Sequence, residues 1–239
     1  MTTAINPMQS SNVSTRQVTF TSDEFTLLGT LHLPEGVAAP PVVIGCHGLQ
    51  SNRNSPKQIA LANRCNSAGI GYFRFDHRGC GKSTGDLWKD TSLQGRSNDL
   101  YSAIKKLTSL GIDRQQIGLF GSSMGGSVCL DIASRYPISV LAVFATPLKI
   151  EIMTTDSPAP YLTFDLSGKL DHVGNVHIFH CASDDIVPLW QAETIYQQVS
   201  SPKKLTIFEN GDHRMSDPAH QAGFLDIAVQ WFYQKLLGA

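Results

Sequence analysis

No stretch of this 239-residue sequence approaches the roughly 20 consecutive apolar residues that a membrane-spanning helix requires. An excess of charge of one sign is also missing, because 19 basic and 20 acidic side chains leave a formal net charge of −1. This balance gives no basis for binding nucleic acid or a charged membrane surface. Residues 1–14 lack a basic stretch followed by an apolar one, so we predict no signal peptide.

Cysteine is scarce, and its spacing shows no pairing pattern. The number of cysteines is odd, and none belongs to a Cys-x-x-Cys pair, which argues against both a disulfide framework and a redox motif. We therefore expect reduced thiols and a cytoplasmic protein. The five residues are Cys46, Cys65, Cys80, Cys129 and Cys181.

The sequence does contain short apolar runs that alternate with stretches whose apolar residues recur at helical spacing. The runs predict strands, and the stretches predict amphipathic helices. The alternation indicates an α/β fold with a mostly parallel central sheet, helices on both faces and an antiparallel hairpin at its N-terminal edge. Strands are predicted at 17–21, 25–33, 41–46, 70–75, 117–120, 140–145, 176–181 and 204–208, and helices at 59–68, 93–110, 189–199 and 219–237, with one more that ends before Pro137.

A Gly-x-Ser-x-Gly pentad, residues 121–125, lies between a predicted strand and a predicted helix. The pentad alone is a weak signal, but this context makes it a strong one. On such a turn the central residue, Ser123, takes a strained backbone conformation that projects its hydroxyl from the sheet edge. We predict that Ser123 is a nucleophile. The alternative is a solvent-exposed serine on a glycine-rich turn.

A serine hydroxyl needs a base to take its proton, and parallel sheets place their sites at the carboxyl ends of strands. Asp184 and Asp185 follow the strand at 176–181, and His213 follows the strand at 204–208. Imidazole exchanges protons readily near neutral pH, so we predict that His213 is the general base, oriented by one of the two acids. The alternatives are an ordinary loop histidine and turn residues that cap the next helix.

Residues 146–175 do not fit the alternation of strands and helices. Their prolines and glycines argue against a regular element, and their many apolar side chains argue against simple disorder. We predict a short lid over the active site, with a packed connector containing one helical turn as the alternative. The lid would be an insertion in a single domain, residues 16–239, that follows a flexible tail, residues 1–15.

These residues resemble the α/β-hydrolase superfamily over roughly residues 18–237. In that family the acid stands three residues before a Val-Pro pair, as Asp184 does before Val187-Pro188, which favours Asp184 over Asp185. A His-Gly pair follows the third strand, here His47-Gly48. The resemblance implies an oxyanion hole formed by the N–H groups of Leu49 and Met124.

The segment 76–83 also resembles the family's Asp-x-Arg-Gly-x-Gly-x-Ser motif, in which we expect Asp76 and Arg78 to form a structural ion pair. Within the superfamily the chain is similar to small-lid serine carboxylesterases, a group that includes feruloyl and cinnamoyl esterases, monoacylglycerol lipases and serine aminopeptidases. No metal is expected, because His177 and His180 lie three residues apart in a strand and face opposite sides.

The resemblance implies a serine hydrolase that cleaves a small-molecule carboxylic ester through an acyl-enzyme, with no cofactor. We expect a monomer or a homodimer. The alternatives are an acyl thioesterase, a hydrolase-shaped binding protein and an aminopeptidase or amidase; the last would use an acidic lid residue such as Glu151, Asp156 or Asp165. The predicted pocket is lined by Leu49, Met124, Ile152, Met153, Tyr161, Phe164 and Val187.

Overall fold

The computed structural model describes residues 13–151 and 162–238, which contain an eight-stranded sheet and a two-stranded sheet. In chain order the strands are β1 (Val13–Ser22), β2 (Phe25–Pro34), β3 (Val42–Cys46), β4 (Gly71–Phe75), β5 (Ile117–Ser122), β6 (Val140–Phe144), β7 (Lys149–Glu151), β8 (Thr163–Asp165), β9 (Val176–Cys181) and β10 (Lys203–Phe208). The large sheet has the order β1-β2-β4-β3-β5-β6-β9-β10. β2 pairs antiparallel with β1 and β4, and the remaining pairs are parallel.

Helices cover both faces of the large sheet. They are α1 (Pro56–Ser67), α2 (Leu87–Asp90), α3 (Leu93–Ser109), α4 (Met124–Arg135), α5 (Leu189–Gln198) and α6 (Pro218–Leu236), with a short 3-10 helix at Arg114–Gln116. One hydrophobic cluster lies under α3, α4 and α5, and a second lies under α1 and α6. This architecture confirms the predicted α/β class, including the antiparallel N-terminal edge.

The central strands are apolar along their whole length, because helices cover them on both sides. Every residue of β3, β6 and β9 is buried, and so are the first five residues of β5. The buried runs bring the carboxyl ends of four parallel strands to one edge of the sheet. The candidate site lies at this edge.

Two differences from the predicted elements have local causes. The sequence pattern does not predict α2, which is only four residues long and begins because the Asp86 side chain accepts hydrogen bonds from the N–H groups of Trp88 and Lys89. β1 begins at Val13, inside the stretch predicted as a tail, and residues 1–12 lie outside the described part.

The described ends of the segment predicted as a lid form a small antiparallel ribbon, in which Lys149 pairs with Asp165 and Glu151 with Thr163. Three-residue strands are too short for a period-two pattern, so the sequence does not reveal them. Leu148 and Leu166, at the base of the ribbon, are buried in the core. Whether the segment acts as a lid remains a prediction.

The predicted ion pair between Asp76 and Arg78 is wrong. The buried Asp76 carboxylate instead pairs with the Arg53 guanidinium and accepts the Arg53 N–H at 2.7 Å. Arg78 pairs with the buried Asp99, 2.8 Å from Nη2 to Oδ1, and with Asp23. The side chains of Asp76 and Arg78, two residues apart, do not face each other. Each instead links the turn at residues 76–83 to a distant part of the chain, through Arg53 and Asp99 respectively.

All five cysteines are buried as free thiols, as expected for a chain without disulfides. Among the described helices, none combines the length and the apolar character needed to cross a bilayer. The cytoplasmic location stays a prediction.

Candidate active site

Ser123 occupies a sharp turn between β5 and α4. Its backbone lies at φ 53° and ψ −127°, a strained conformation for a residue with a side chain, and its N–H donates to the Phe144 carbonyl at 2.8 Å. A Cβ added to Gly121 would lie 2.3 Å from the Gly125 carbonyl oxygen, and one added to Gly125 would lie 2.3 Å from the Cys46 carbonyl oxygen. The spacing of the two glycines is therefore required by the close approach of three backbone segments.

The structure brings Ser123, His213 and Asp184 together. The Nε2 atom of His213 lies 3.2 Å from the Ser123 Oγ, and its Nδ1 lies 2.8 Å and 3.0 Å from the two Asp184 carboxylate oxygens. An imidazole with its proton on Nδ1 donates to the carboxylate and leaves the Nε2 lone pair free to accept from the hydroxyl. This arrangement can move a proton away from the serine.

The carboxylate of Asp184 is fully buried and held from several directions. Its Oδ1 accepts the N–H groups of Ile186 at 2.9 Å and Val187 at 2.8 Å. Burial raises the pKa of Asp184, but hydrogen bonds from His213 and from these two N–H groups outweigh burial and lower it below its usual value. Asp184 is therefore ionised at neutral pH. The exposed Asp185 forms none of these contacts.

His180 was singled out in the sequence only as a poor metal ligand, but it adjoins the acid. Its Nε2 lies 2.8 Å from the Val187 carbonyl oxygen and 3.6 Å from the Asp184 Oδ2. Burial lowers the pKa of His180, so the neutral imidazole donates to the Val187 carbonyl and fixes the turn that carries Asp184. A strand histidine gives no sequence signal for such a contact. Among the described residues, no group of three or more potential metal ligands is found.

The N–H groups of Leu49 and Met124 lie on two segments that flank the serine. Met124 is the first residue of α4, whose amino-terminal N–H groups carry partial positive charge. The neighbour of Leu49, Gly48, lies against the serine, since a Cβ added there would be 3.4 Å from the Ser123 Cβ. Within residues 13–151 and 162–238, neither N–H donates to another protein group. Both are therefore available to a ligand.

Two of the predicted pocket residues can be placed in addition to Leu49 and Met124. Phe164 is buried in β8 within the core, and Val187 is buried beside Asp184. Ile152, Met153 and Tyr161 lie outside the described residues, as does Asp156. Their predicted contacts with substrate, and that of Phe164, stay predictions.

Residues 38–170, more than half of the chain, match the family model described as "Serine aminopeptidase, S33". The chain therefore belongs to this family of the α/β-hydrolase superfamily. The fold and the family confirm the resemblance that the sequence motifs indicate.

Named relatives show moderate similarity. The uncharacterized protein YfhR of Escherichia coli K12 is 26% identical over 216 residues, which cover 84% of this chain and 74% of YfhR. The mitochondrial palmitoyl-protein thioesterase ABHD10 of Bos taurus is 26% identical over 216 residues, covering 75% of this chain and 69% of ABHD10. Est1E of Butyrivibrio proteoclasticus, solved with bound ferulic acid, superposes with a TM-score of 0.78 over 92% of this chain and 99% of Est1E. At 18% identity, that likeness shows the fold alone.

Proposed function

We propose that this protein is a serine hydrolase that cleaves carboxylic esters through an acyl-enzyme intermediate. The observation that carries the proposal is the continuous chain of contacts from the Ser123 hydroxyl through His213 to the buried Asp184 carboxylate.

In the first step, Ser123 Oγ attacks the ester carbonyl while His213 Nε2 takes its proton. Asp184 stabilises the imidazolium that forms, because its pKa is lowered and it stays charged. His213 then returns the proton to the departing alcohol. Water, activated by the same imidazole, cleaves the acyl-enzyme and restores the serine.

The negative oxygen formed in each step needs hydrogen-bond donors at its side. In this proposal the N–H groups of Leu49 and Met124 supply them, and the start of α4 adds its dipole. Removing one such donor typically costs about 10²–10³-fold in kcat. The group of donors is fixed by the backbone, so it requires no reorganisation when the charge develops.

A second candidate activity is thioester hydrolysis by the same residues. The observation in its favour is the similarity to bovine ABHD10, which is named as a palmitoyl-protein thioesterase and spans three quarters of this chain. A thiolate departs more readily than an alkoxide, so the proposed steps apply without change. An aminopeptidase would need an acidic side chain to bind the amino group of its substrate. Glu151 and Asp165, both exposed on the ribbon of β7 and β8, are the described candidates for that role.

The test is a panel of matched substrates: p-nitrophenyl acetate and butyrate, an acyl-CoA and an amino-acyl anilide. We expect the esters to be cleaved fastest and the anilide slowest. Ser123→Ala should abolish turnover and labelling by a fluorophosphonate, whereas Ser122→Ala, in the same turn, should retain both. A folded wild-type protein that neither turns over an activated acyl compound nor becomes labelled would contradict the proposal and favour a binding role.

A further inference from the structure

Arg96 is a fully buried arginine in the first turn of α3, and no motif in the sequence marks it. Its Nη1 donates to the Gly48 carbonyl at 3.2 Å, and its Nη2 donates to the Leu49 carbonyl at 3.0 Å and contacts the Cys80 Sγ at 3.3 Å. One guanidinium therefore holds two consecutive carbonyls of the loop that follows β3.

The direction of these two carbonyls determines the direction of the neighbouring N–H groups. In a trans peptide the C=O and N–H bonds point to opposite sides. Because the Gly48 oxygen faces Arg96, the N–H of Leu49 points away from Arg96. The same oxygen also accepts from His47 Nδ1 at 2.8 Å, and His47 is itself held by the His77 N–H at 3.1 Å.

The charge of Arg96 is also unusual in its surroundings. All three hydrogen-bond acceptors of its guanidinium are uncharged, whereas the neighbouring carboxylate of Asp99 is bonded to Arg78 and His77. Burying a cation without a carboxylate bonded to it is unfavourable. The cation is retained beside the loop whose Leu49 N–H, in the proposed function, faces the negative charge that develops on the substrate oxygen.

We propose that Arg96, together with His47, is a positioning residue for the oxyanion hole. The two side chains lock the Gly48–Leu49 peptide so that its N–H faces the reacting carbonyl. By withdrawing electron density from the peptide oxygen, Arg96 also makes that N–H a stronger donor. This inference rests on the proposed acyl-transfer function and assigns no contact between Arg96 and substrate.

A lysine cannot reproduce the arrangement, because its single ammonium lacks the rigid fork that reaches two carbonyls at fixed angles. Arg96→Lys keeps the buried charge but loses the geometry, and Arg96→Gln loses both. Each should lower kcat for p-nitrophenyl butyrate while KM changes less than about threefold, since the interaction is made with the transition state. We expect losses of about 10-fold for lysine and about 100-fold for glutamine.

The decisive readout is the affinity for an alkyl trifluoromethyl ketone, which forms a tetrahedral oxyanion on the serine. Its inhibition constant should rise in parallel with the loss of kcat/KM, which a merely structural defect would not produce. Arg78→Lys is the matched control, because it alters another buried arginine that lies outside the loop. Arg78→Lys should lower the stability of the protein. In the folded variant, kcat/KM and the inhibition constant should stay within about twofold of the wild-type values.

Rates are expressed per active serine, counted by fluorophosphonate labelling, so partly folded preparations remain informative. Wild-type kcat and inhibitor affinity in folded Arg96→Lys would overturn the inference. If neither Arg96 variant folds, His47→Phe decides it, because the phenyl ring has no N–H to donate to the Gly48 carbonyl and should produce the same parallel change. An inactive and unlabelled wild-type enzyme would instead overturn the proposed function itself.

Discussion

Two of the buried Asp–His contacts in the described part of the molecule look alike but differ in what surrounds them. His213 Nδ1 lies 2.8 Å from Asp184, and His77 Nδ1 lies 3.3 Å from Asp99. Both carboxylates are fully buried. The imidazole of His77 is also fully buried, whereas that of His213 is 14% exposed and reaches the serine with its second nitrogen.

The second difference lies in how each carboxylate is neutralised. Asp99 accepts hydrogen bonds from both the guanidinium and the backbone N–H of Arg78, so a permanent cation is bonded to it. Asp184 is held mainly by neutral N–H donors. A charge that forms on His213 is therefore met by a carboxylate with no arginine bonded to it. An Asp–His pair becomes a candidate for catalysis only when the imidazole has an open edge and the carboxylate has no permanent cation.

The largest expected effect separates the two pairs by activity. Asp184→Asn should lower kcat by about 10⁴-fold, because the amide favours the wrong tautomer of His213. Asp99→Asn should leave kcat per folded molecule within about threefold. Ester hydrolysis measured per folded molecule, with the folded fraction taken from circular dichroism, checks both values. Equal losses of activity in the two variants would break the distinction between the pairs.

Next in size is the effect of Asp99→Asn on stability. Asp99→Asn leaves the buried Arg78 without its main partner, so the free energy of unfolding should fall by about 3–5 kcal/mol. Urea unfolding followed by circular dichroism measures the change. Asp185→Asn, which alters an exposed carboxylate, is the control and should change stability by less than about 0.5 kcal/mol. A similar small value for Asp99→Asn would show that the Arg78 pair is not needed.

Lowering the pH should change the stability of the wild-type protein more than that of Asp99→Asn. Burial raises the pKa of Asp99, but hydrogen bonds from His77 and Arg78 outweigh burial, and the net pKa is lowered. A carboxyl group with a lowered folded-state pKa stabilises the protein above its unfolded-state value of about 3.9, and this stability is lost as the pH falls toward the folded-state pKa. Wild-type stability should therefore decline steeply below about pH 4. In Asp99→Asn the decline should be shallower, and identical slopes in urea titrations from pH 5 to 3 would contradict this explanation.

The smallest effect concerns Lys57, a buried cation attracted by the charge of Asp184. Lys57 Nζ lies 3.5 Å from the centre of the Phe144 ring, and burial lowers the pKa of its ammonium to about 7, against the attraction of Asp212 and Asp184. Between pH 7 and 10 the unfolded chain keeps a proton that the folded protein releases, so this residue makes stability rise with pH. Relative to Lys57→Met, the wild-type protein should gain about 3 kcal/mol from pH 7 to pH 9.5. Parallel urea midpoints for both proteins across this range would contradict it.

The sequence predicts the parts of the site that depend on local backbone geometry. The glycines around Ser123 mark a turn that other residues would crowd, and the long buried strands identify the sheet and its carboxyl edge. The position of His213 after β10 follows from the same regular alternation. Ser123 and His213 are in contact in the structure. Their roles in catalysis are part of the proposed function, which the substrate panel tests.

Interactions between distant side chains could not be predicted in the same way. Asp76 pairs with Arg53 and Arg78 pairs with Asp99, although the sequence suggested that the two neighbours pair with each other. The correct partners lie 23 and 21 residues away, on elements whose orientation only the folded sheet defines. Arg96 was missed for the same reason, since a polar residue in an amphipathic helix predicts a solvent-facing side chain.

The ribbon of β7 and β8 has a consequence for how the length of the segment between the two strands can change. Glu151 and Thr163 are paired across the two strands, so the chain leaves and re-enters the fold at neighbouring points. Lengthening the stretch between such points costs little, because closure entropy grows only with the logarithm of loop length. A peptide of different length can therefore be grafted between these two positions while the strands beneath keep their register.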